Sequence, residues 1–178
     1  QSPVFQPGVY YDTATGGVVI GTFGDDLLIA NDNTLRIYQP INAPYGVISL
    51  TLSGSSQDIP LLTPSGTTLI TAIREFPLDG KAFIGCNSGT PGTCKVITWD
   101  GVTERDDFTG INAPTGFGIY RDVIILGYGG APNEIRTRPA GASPGTWTQI
   151  LPSAGTAAYR NGISYKDSFY FTTGGEDI

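Results

Sequence analysis

Cys86 and Cys94 are the only cysteines, and they bracket Asn87-Ser88-Gly89-Thr90-Pro91-Gly92-Thr93, a segment whose Gly and Pro residues can return the chain. Such a loop brings two Cβ atoms together and predicts a disulfide, and with it an oxidising compartment; two reduced thiols in a hairpin are the alternative. Zinc is a poor fit, because the chain has no His to complete a thiolate set. The same absence removes any Ser-His-Asp triad. Acidic residues cluster at Asp25-Asp26, at Glu104 with Asp106-Asp107, and at Glu176-Asp177. Two carboxylates hydrolyse a glycoside when held roughly 5–10 Å apart across the sugar. Neighbours along a strand or turn point in different directions, so turn chemistry and solvation account for these clusters.

Other polar motifs lead to the same kind of reading. Asn31-Asp32-Asn33-Thr34 offers oxygens to Ca²⁺, but lacks the spaced ligands, Gly and distal Glu of an EF-hand, and reads as an Asx-rich turn. Gly127-Tyr128-Gly129-Gly130 leads into Pro132 without Lys or helix, so it does not cradle phosphate. Tyr45, Trp99, Tyr128 and Trp147 are candidates for stacking on sugar rings at a loop surface, although most aromatics alternate inside predicted strands and read as core. Arg136 and Arg138 share a strand face that could meet an acidic partner or simply be solvated. No cofactor fingerprint is present, and no cofactor is expected.

The elements that carry these residues follow from a short pattern that occurs four times. Phe23-Gly24-Asp25-Asp26-Leu27-Leu28-Ile29-Ala30 aligns without gaps with residues 78–85, 120–127 and 165–172. Column one is large and apolar (Phe23, Leu78, Tyr120, Tyr165), column three is Asp or Gly, columns five to seven are mostly apolar, and column eight is small. Physically this is a strand end, a two-residue turn at Asp or Gly, and a second strand. Third strands follow at residues 34–38, 95–99 and 135–138, with Pro40 and Pro44 ending the first of these. Ile29, Ile84, Leu126 and Phe171 are spaced by 55, 42 and 45 residues, the range of blade-sized repeats. The echo of Ile41-Asn42-Ala43-Pro44 in Ile111-Asn112-Ala113-Pro114 is a reused connection. No helix is signalled.

The predicted fold class is therefore all-β: antiparallel four-stranded blades in a β-propeller-like arrangement, about four repeats, the last incomplete. An extended segment, residues 1–15, precedes units at about 16–58, 66–110, 114–152 and 156–178.

Composition narrows the partners. The 178 residues carry a formal charge of −6 with only 10 Lys and Arg, which argues against a phosphate-backbone partner. No apolar run approaches the ~20 residues of a membrane-spanning helix. Gly 25 and Pro 13 are spread as punctuation between apolar runs, as many short strands require. A start at Gln1 with no Met anywhere suggests a processed product or a portion of a longer one, which a removed signal peptide would explain.

The units resemble blades of kelch, YncE-like and sialidase-type β-propellers over roughly residues 16–178. The resemblance rests on the strand, Asp/Gly turn and strand pattern. Gly145-Thr146-Trp147-Thr148 is similar to the end of an Asp-box that lacks its Asp, and Trp99-Asp100 is similar to a WD dipeptide without its Gly-His partner. Similar blades occur in bacteriophage tail and fibre proteins. The resemblance implies a ring that closes by pairing its ends: the segment 4–11 completes the last unit, or the chain is a piece of a larger propeller, or a neighbouring subunit covers the exposed edge.

The expected function is a non-catalytic structural or binding module in a virion or extracellular surface assembly, with protein partners or self-association and a glycan as a candidate ligand. A secreted carbohydrate-binding propeller or a glycoside hydrolase is the alternative.

Overall fold

The computed structural model describes residues 18–42, 48–52, 58–60, 68–129, 134–151 and 159–173. They form antiparallel sheets with one short 3-10 turn, so the fold is all-β. Sheet one comprises β1 (Val18–Phe23), β2 (Asp26–Asn31), β3 (Thr34–Asn42) and β4 (Ile48–Leu52), with β5 (Asp58–Pro60) also paired to β3. Sheet two is β6 (Leu69–Phe76), β7 (Lys81–Asn87), β8 (Cys94–Trp99) and β9 (Glu104–Ile111), joined in chain order. Sheet three repeats that order with β10 (Pro114–Tyr120), β11 (Val123–Tyr128), β12 (Glu134–Pro139) and β13 (Thr148–Leu151). Sheet four is the hairpin β14 (Tyr159–Tyr165) and β15 (Ser168–Thr173). The expected N-terminal segment 1–15 lies outside the described residues.

Three local expectations are corrected. The left-handed residue of the hairpin turns is not the column-three Asp but the residue before it: Gly24, Arg121 and Lys166 have φ of 56°, 53° and 51°. In sheet two the turn is longer, since Phe76 pairs with Lys81 across a 3-10 turn at Pro77–Asp79 closed by Gly80. Pro77, with its fixed φ, starts that turn, and Leu78 is left exposed instead of ending a strand. Finally, β3 runs through Pro40 to Asn42. β2 pairs only as far as Tyr38, so the missing N–H at Pro40 breaks no ladder on that side.

The sheets follow one another through their first strands, β1 beside β6, β6 beside β10, and β10 beside β14. Alternation along each strand sends side chains to both neighbours. On β7, Ala82, Ile84 and Cys86 enter a core shared with Leu28 and Leu35 of sheet one, while Phe83 enters a second core with Phe117, Ile124, Leu126 and Trp147 of sheet three. Phe83 meets Phe76, Phe117 and Trp147 edge-to-face at centroid distances of 6.2, 6.4 and 6.1 Å. Burying a side chain of that size stabilises by about 1.5–3 kcal/mol before any ring–ring term.

The small residue in column eight has its reason here. A Cβ on Gly85 would lie 2.6 Å from Cβ of Pro114, the first residue of β10, and one on Gly127 would lie 2.8 Å from Cβ of Tyr159, the first residue of β14. In sheets two and three the start of the next sheet presses on the backbone at that position. Among the described residues no strand pairing joins sheet four to sheet one.

Candidate interaction surface

The four aromatic candidates do not assemble into one surface. Trp99, on β8, is buried in the core between sheets one and two; Trp147 is buried between sheets two and three. Tyr128 ends β11, and Tyr45 lies outside the described residues. Trp147 donates its indole N–H to Asp107 Oδ2 at 2.6 Å, whereas the buried Nε1 of Trp99 has no acceptor among the described residues.

The expected disulfide is not formed: Cys86 and Cys94 are both free and buried. The register explains why. Cys86 pairs with Lys95, so Cys94 points to the opposite face of sheet two, and the two thiols sit in different cores. Burial pushes the Cys86 thiol up to about 12. Cys94 Sγ instead lies under the β7–β8 loop, 3.5 Å from the Ser88 N–H and 3.4 Å from Asn87 Oδ1. It borders a cavity of about 280 Å³ lined also by Gly89, Pro91, Asn112, Ala113 and Gly129.

The acidic cluster on β9 divides by face. Asp106 accepts from the buried Lys95 Nζ at 2.9 Å, and burial holds the neighbouring Glu104 carboxyl above its usual range. Asp107 faces the other way, toward the fully buried Arg138 of β12, with Nε 3.5 Å from Oδ1. Arg138 also donates to the Asp79 carboxylate and the Ala142 carbonyl, and its guanidinium lies 5.2 Å from the Phe83 ring centroid. Asp79 in turn accepts the Gly141 N–H at 2.6 Å. These groups clamp sheet two to sheet three. Asp25 and Asp26 lie at the β1–β2 turn, and Glu176-Asp177 lies outside the described residues.

Among the described residues, one face of sheet four is an open apolar surface. Phe169 and Phe171 point back to sheet three, where Phe169 fills the space over Gly118 and Ser164 Oγ donates to the Ile119 carbonyl. Ile163 pairs with Tyr170 and Tyr165 with Ser168, so Ile163, Tyr165 and Tyr170 share the opposite face. They are 68%, 60% and 55% exposed, whereas the residues in the column of Tyr170 in the preceding sheets, Leu28, Phe83 and Ile125, are buried. Column six is thus the face turned toward the following sheet, and in sheet four it is uncovered.

No family profile matches the sequence, and no curated protein is significantly similar to it. A solved structure with a similar fold is the crystal structure of the computationally designed Ika4 protein, at a TM-score of 0.55 and 10% sequence identity, covering 92% of this chain and 89% of that one. At that identity the likeness concerns the fold alone.

Chemically, the described carboxylates with the closest partners are engaged by cations and indole N–H, and the sulfur atoms are buried. What the arrangement offers outward is an apolar face edged by the exposed Lys166, whose Nζ sits 5.3 Å from the Tyr165 ring centroid. The aromatic candidates chosen from the sequence omitted this face. Its signal was present in the alternation of Phe169, Tyr170 and Phe171, which sends Tyr170 away from its two neighbours.

Proposed function

We propose that this chain is a non-catalytic structural and binding module, built as propeller-like blades, that works as a subunit or segment of a virion or extracellular surface assembly. The observation that carries this reading is the uncovered face of Ile163, Tyr165 and Tyr170. The residues corresponding to Tyr170 in the preceding sheets, Leu28, Phe83 and Ile125, are buried, and an apolar face rimmed by polar residues is typical of a contact surface. The clamp of Arg138, Asp79, Asp107 and Trp147 supports it further, because it ties sheet two to sheet three through buried polar contacts. The test is the native mass in solution against the 18.8 kDa of the chain. A mass several times larger is expected; a monodisperse monomer would sink the assembly role.

A second reading, a glycan-binding surface, is favoured by the cavity under the β7–β8 loop, close to the lower size limit of small-ligand pockets. A glycan array decides it, with binding lost on Asn112→Ala as the supporting result and no binding to any glycan as the opposing one.

A further inference from the structure

We propose that the uncovered face of sheet four is a socket for sheet one of a second copy of this chain, joined head to tail. The inference deepens the assembly reading and rests on it. Its ground is that the chain already builds this kind of contact internally, and that the two ends of the stack expose its two unmated halves.

Two of the internal contacts place a glycine at the same forward position, Gly21 against Ile73 and Gly118 against Phe169, whereas in sheet two that position is the exposed Arg74. On the side facing forward, two residues before the turn-preceding aromatic, stand Gly21 in sheet one and Gly118 in sheet three; a Cβ on Gly21 would lie 2.7 Å from Cβ of Ile73 in sheet two. Ile73 is the third residue before Phe76, and its counterpart in sheet one is Ile20, which points backward off the stack and is 59% exposed. The forward position in sheet four is Ile163, also exposed. Ile163 and Ile20 are thus the counterparts of Gly21 and Ile73.

The turns repeat the argument with polar groups. In the contact of sheet three with sheet four, the Tyr120 hydroxyl donates to the Asp167 carbonyl at 2.6 Å, and Arg121 Nη2 lies 3.5 Å from Asp167 Oδ1. The residues in these columns at the open end are Tyr165 and Lys166, and the Asp of the same turn column in sheet one is Asp25. A Tyr, a cation and a facing Asp therefore recur at the junction that is not made. The charges are opposite, as in the internal pair, and the exposed pair would contribute register more than affinity.

Both halves are exposed, and among the described residues no strand pairing joins sheet four to sheet one, so a second copy supplies each with its partner. A contact of this type uses different surfaces on the two copies, and it either closes into a ring or propagates.

The experiment uses the full chain. Native mass spectrometry gives the copy number, and Tyr170→Glu is expected to weaken association at least tenfold. Because Tyr170 also supports the hairpin, the exposed turns provide a second measurement: Lys166→Glu weakens association, and Asp25→Lys in the same chain restores it. Mixing Ile20→Cys chains with Ile163→Cys chains under mild oxidation is expected to yield a cross-link between copies at those two positions. A monomer in which the double variant links 20 to 163 within one chain overturns the proposal in favour of self-closure. An assembly with no such link, insensitive to Tyr170→Glu and to Lys166→Glu, overturns this contact and leaves the assembly role intact. A monomer without the link removes both.

Discussion

Trp147 of the third unit donates its indole N–H to Asp107 Oδ2 of β9 at 2.6 Å, and so ties sheet three to sheet two through a buried polar contact. Trp147→Phe keeps most of the ring packing but leaves the carboxylate oxygen without that donor, which is expected to cost about 1–3 kcal/mol. Trp99→Phe is the control. Its buried Nε1 has no acceptor among the described residues, so removal of the N–H is expected to leave stability within about 0.5 kcal/mol or to raise it. Urea unfolding followed by fluorescence and circular dichroism separates the two.

Arg138 stands between the carboxylates of Asp79 and Asp107, all with side chains almost wholly buried. Arg138→Met leaves two buried acids without their cation and is expected to destabilise by about 3–5 kcal/mol. An effect below about 1 kcal/mol would mean that the clamp is dispensable.

Acid–base behaviour follows from the same site. Burial raises the Asp107 carboxyl above its usual value, although the Trp147 hydrogen bond and the Arg138 charge pull it down. A carboxyl whose folded pKa lies above its unfolded value of about 3.9 binds its proton more tightly in the folded state. Its contribution is therefore complete below that unfolded value and is lost as pH rises through the folded one. Asp107→Asn removes this titration, so the stability of the wild type relative to the variant is expected to fall as pH rises from about 4. Unfolding midpoints across a pH series check the sign.

Gly85 and Gly24 answer different questions. Gly85→Ala places a methyl group against Pro114 at the start of the next sheet and is expected to cost about 1–3 kcal/mol. Gly24 faces open space, and Arg121 and Lys166 adopt its backbone conformation elsewhere, so Gly24→Asn is expected to stay within about 1 kcal/mol. Thermal unfolding of the two variants tests whether close approach of sheets, and not turn geometry, selects glycine in column eight.

The two thiols are expected to remain free, with an intact mass unchanged by reductant. Cys86, buried and raised to about 12, is expected to resist iodoacetamide at pH 8 until the protein unfolds. A disulfide recovered between Cys86 and Cys94 from native protein would require a different register of β7 with β8.

Much of the local structure was legible in the residues. Asp or Gly beside alternating apolar residues marked the hairpins at Phe23–Asp26, Tyr120–Val123 and Tyr165–Ser168, whereas in sheet two the first strand ends at Phe76, short of the Leu78 in the same column. These features depend on turn chemistry and on a side-chain period of two, both of which act over a few residues. Column eight was visibly small, but its cause, a neighbouring strand start at Pro114 or Tyr159, comes from another repeat.

The polar and binding features were not legible, because each depends on register or on contacts between distant segments. Whether Cys86 and Cys94 meet is decided by which face each takes, and pairing of Cys86 with Lys95 separates them. Asp79 and Arg138 are distant in the chain, and nothing local distinguishes Arg138 from the less buried Arg136 on the same strand. The sequence alone determined an all-β chain of repeated hairpins. Only the packing of one sheet on the next decided that Trp99 and Trp147 would be core, that Asp107 would be a clamp, and that Tyr170 would face outward, because burial is a property of the neighbouring sheet and not of the strand itself.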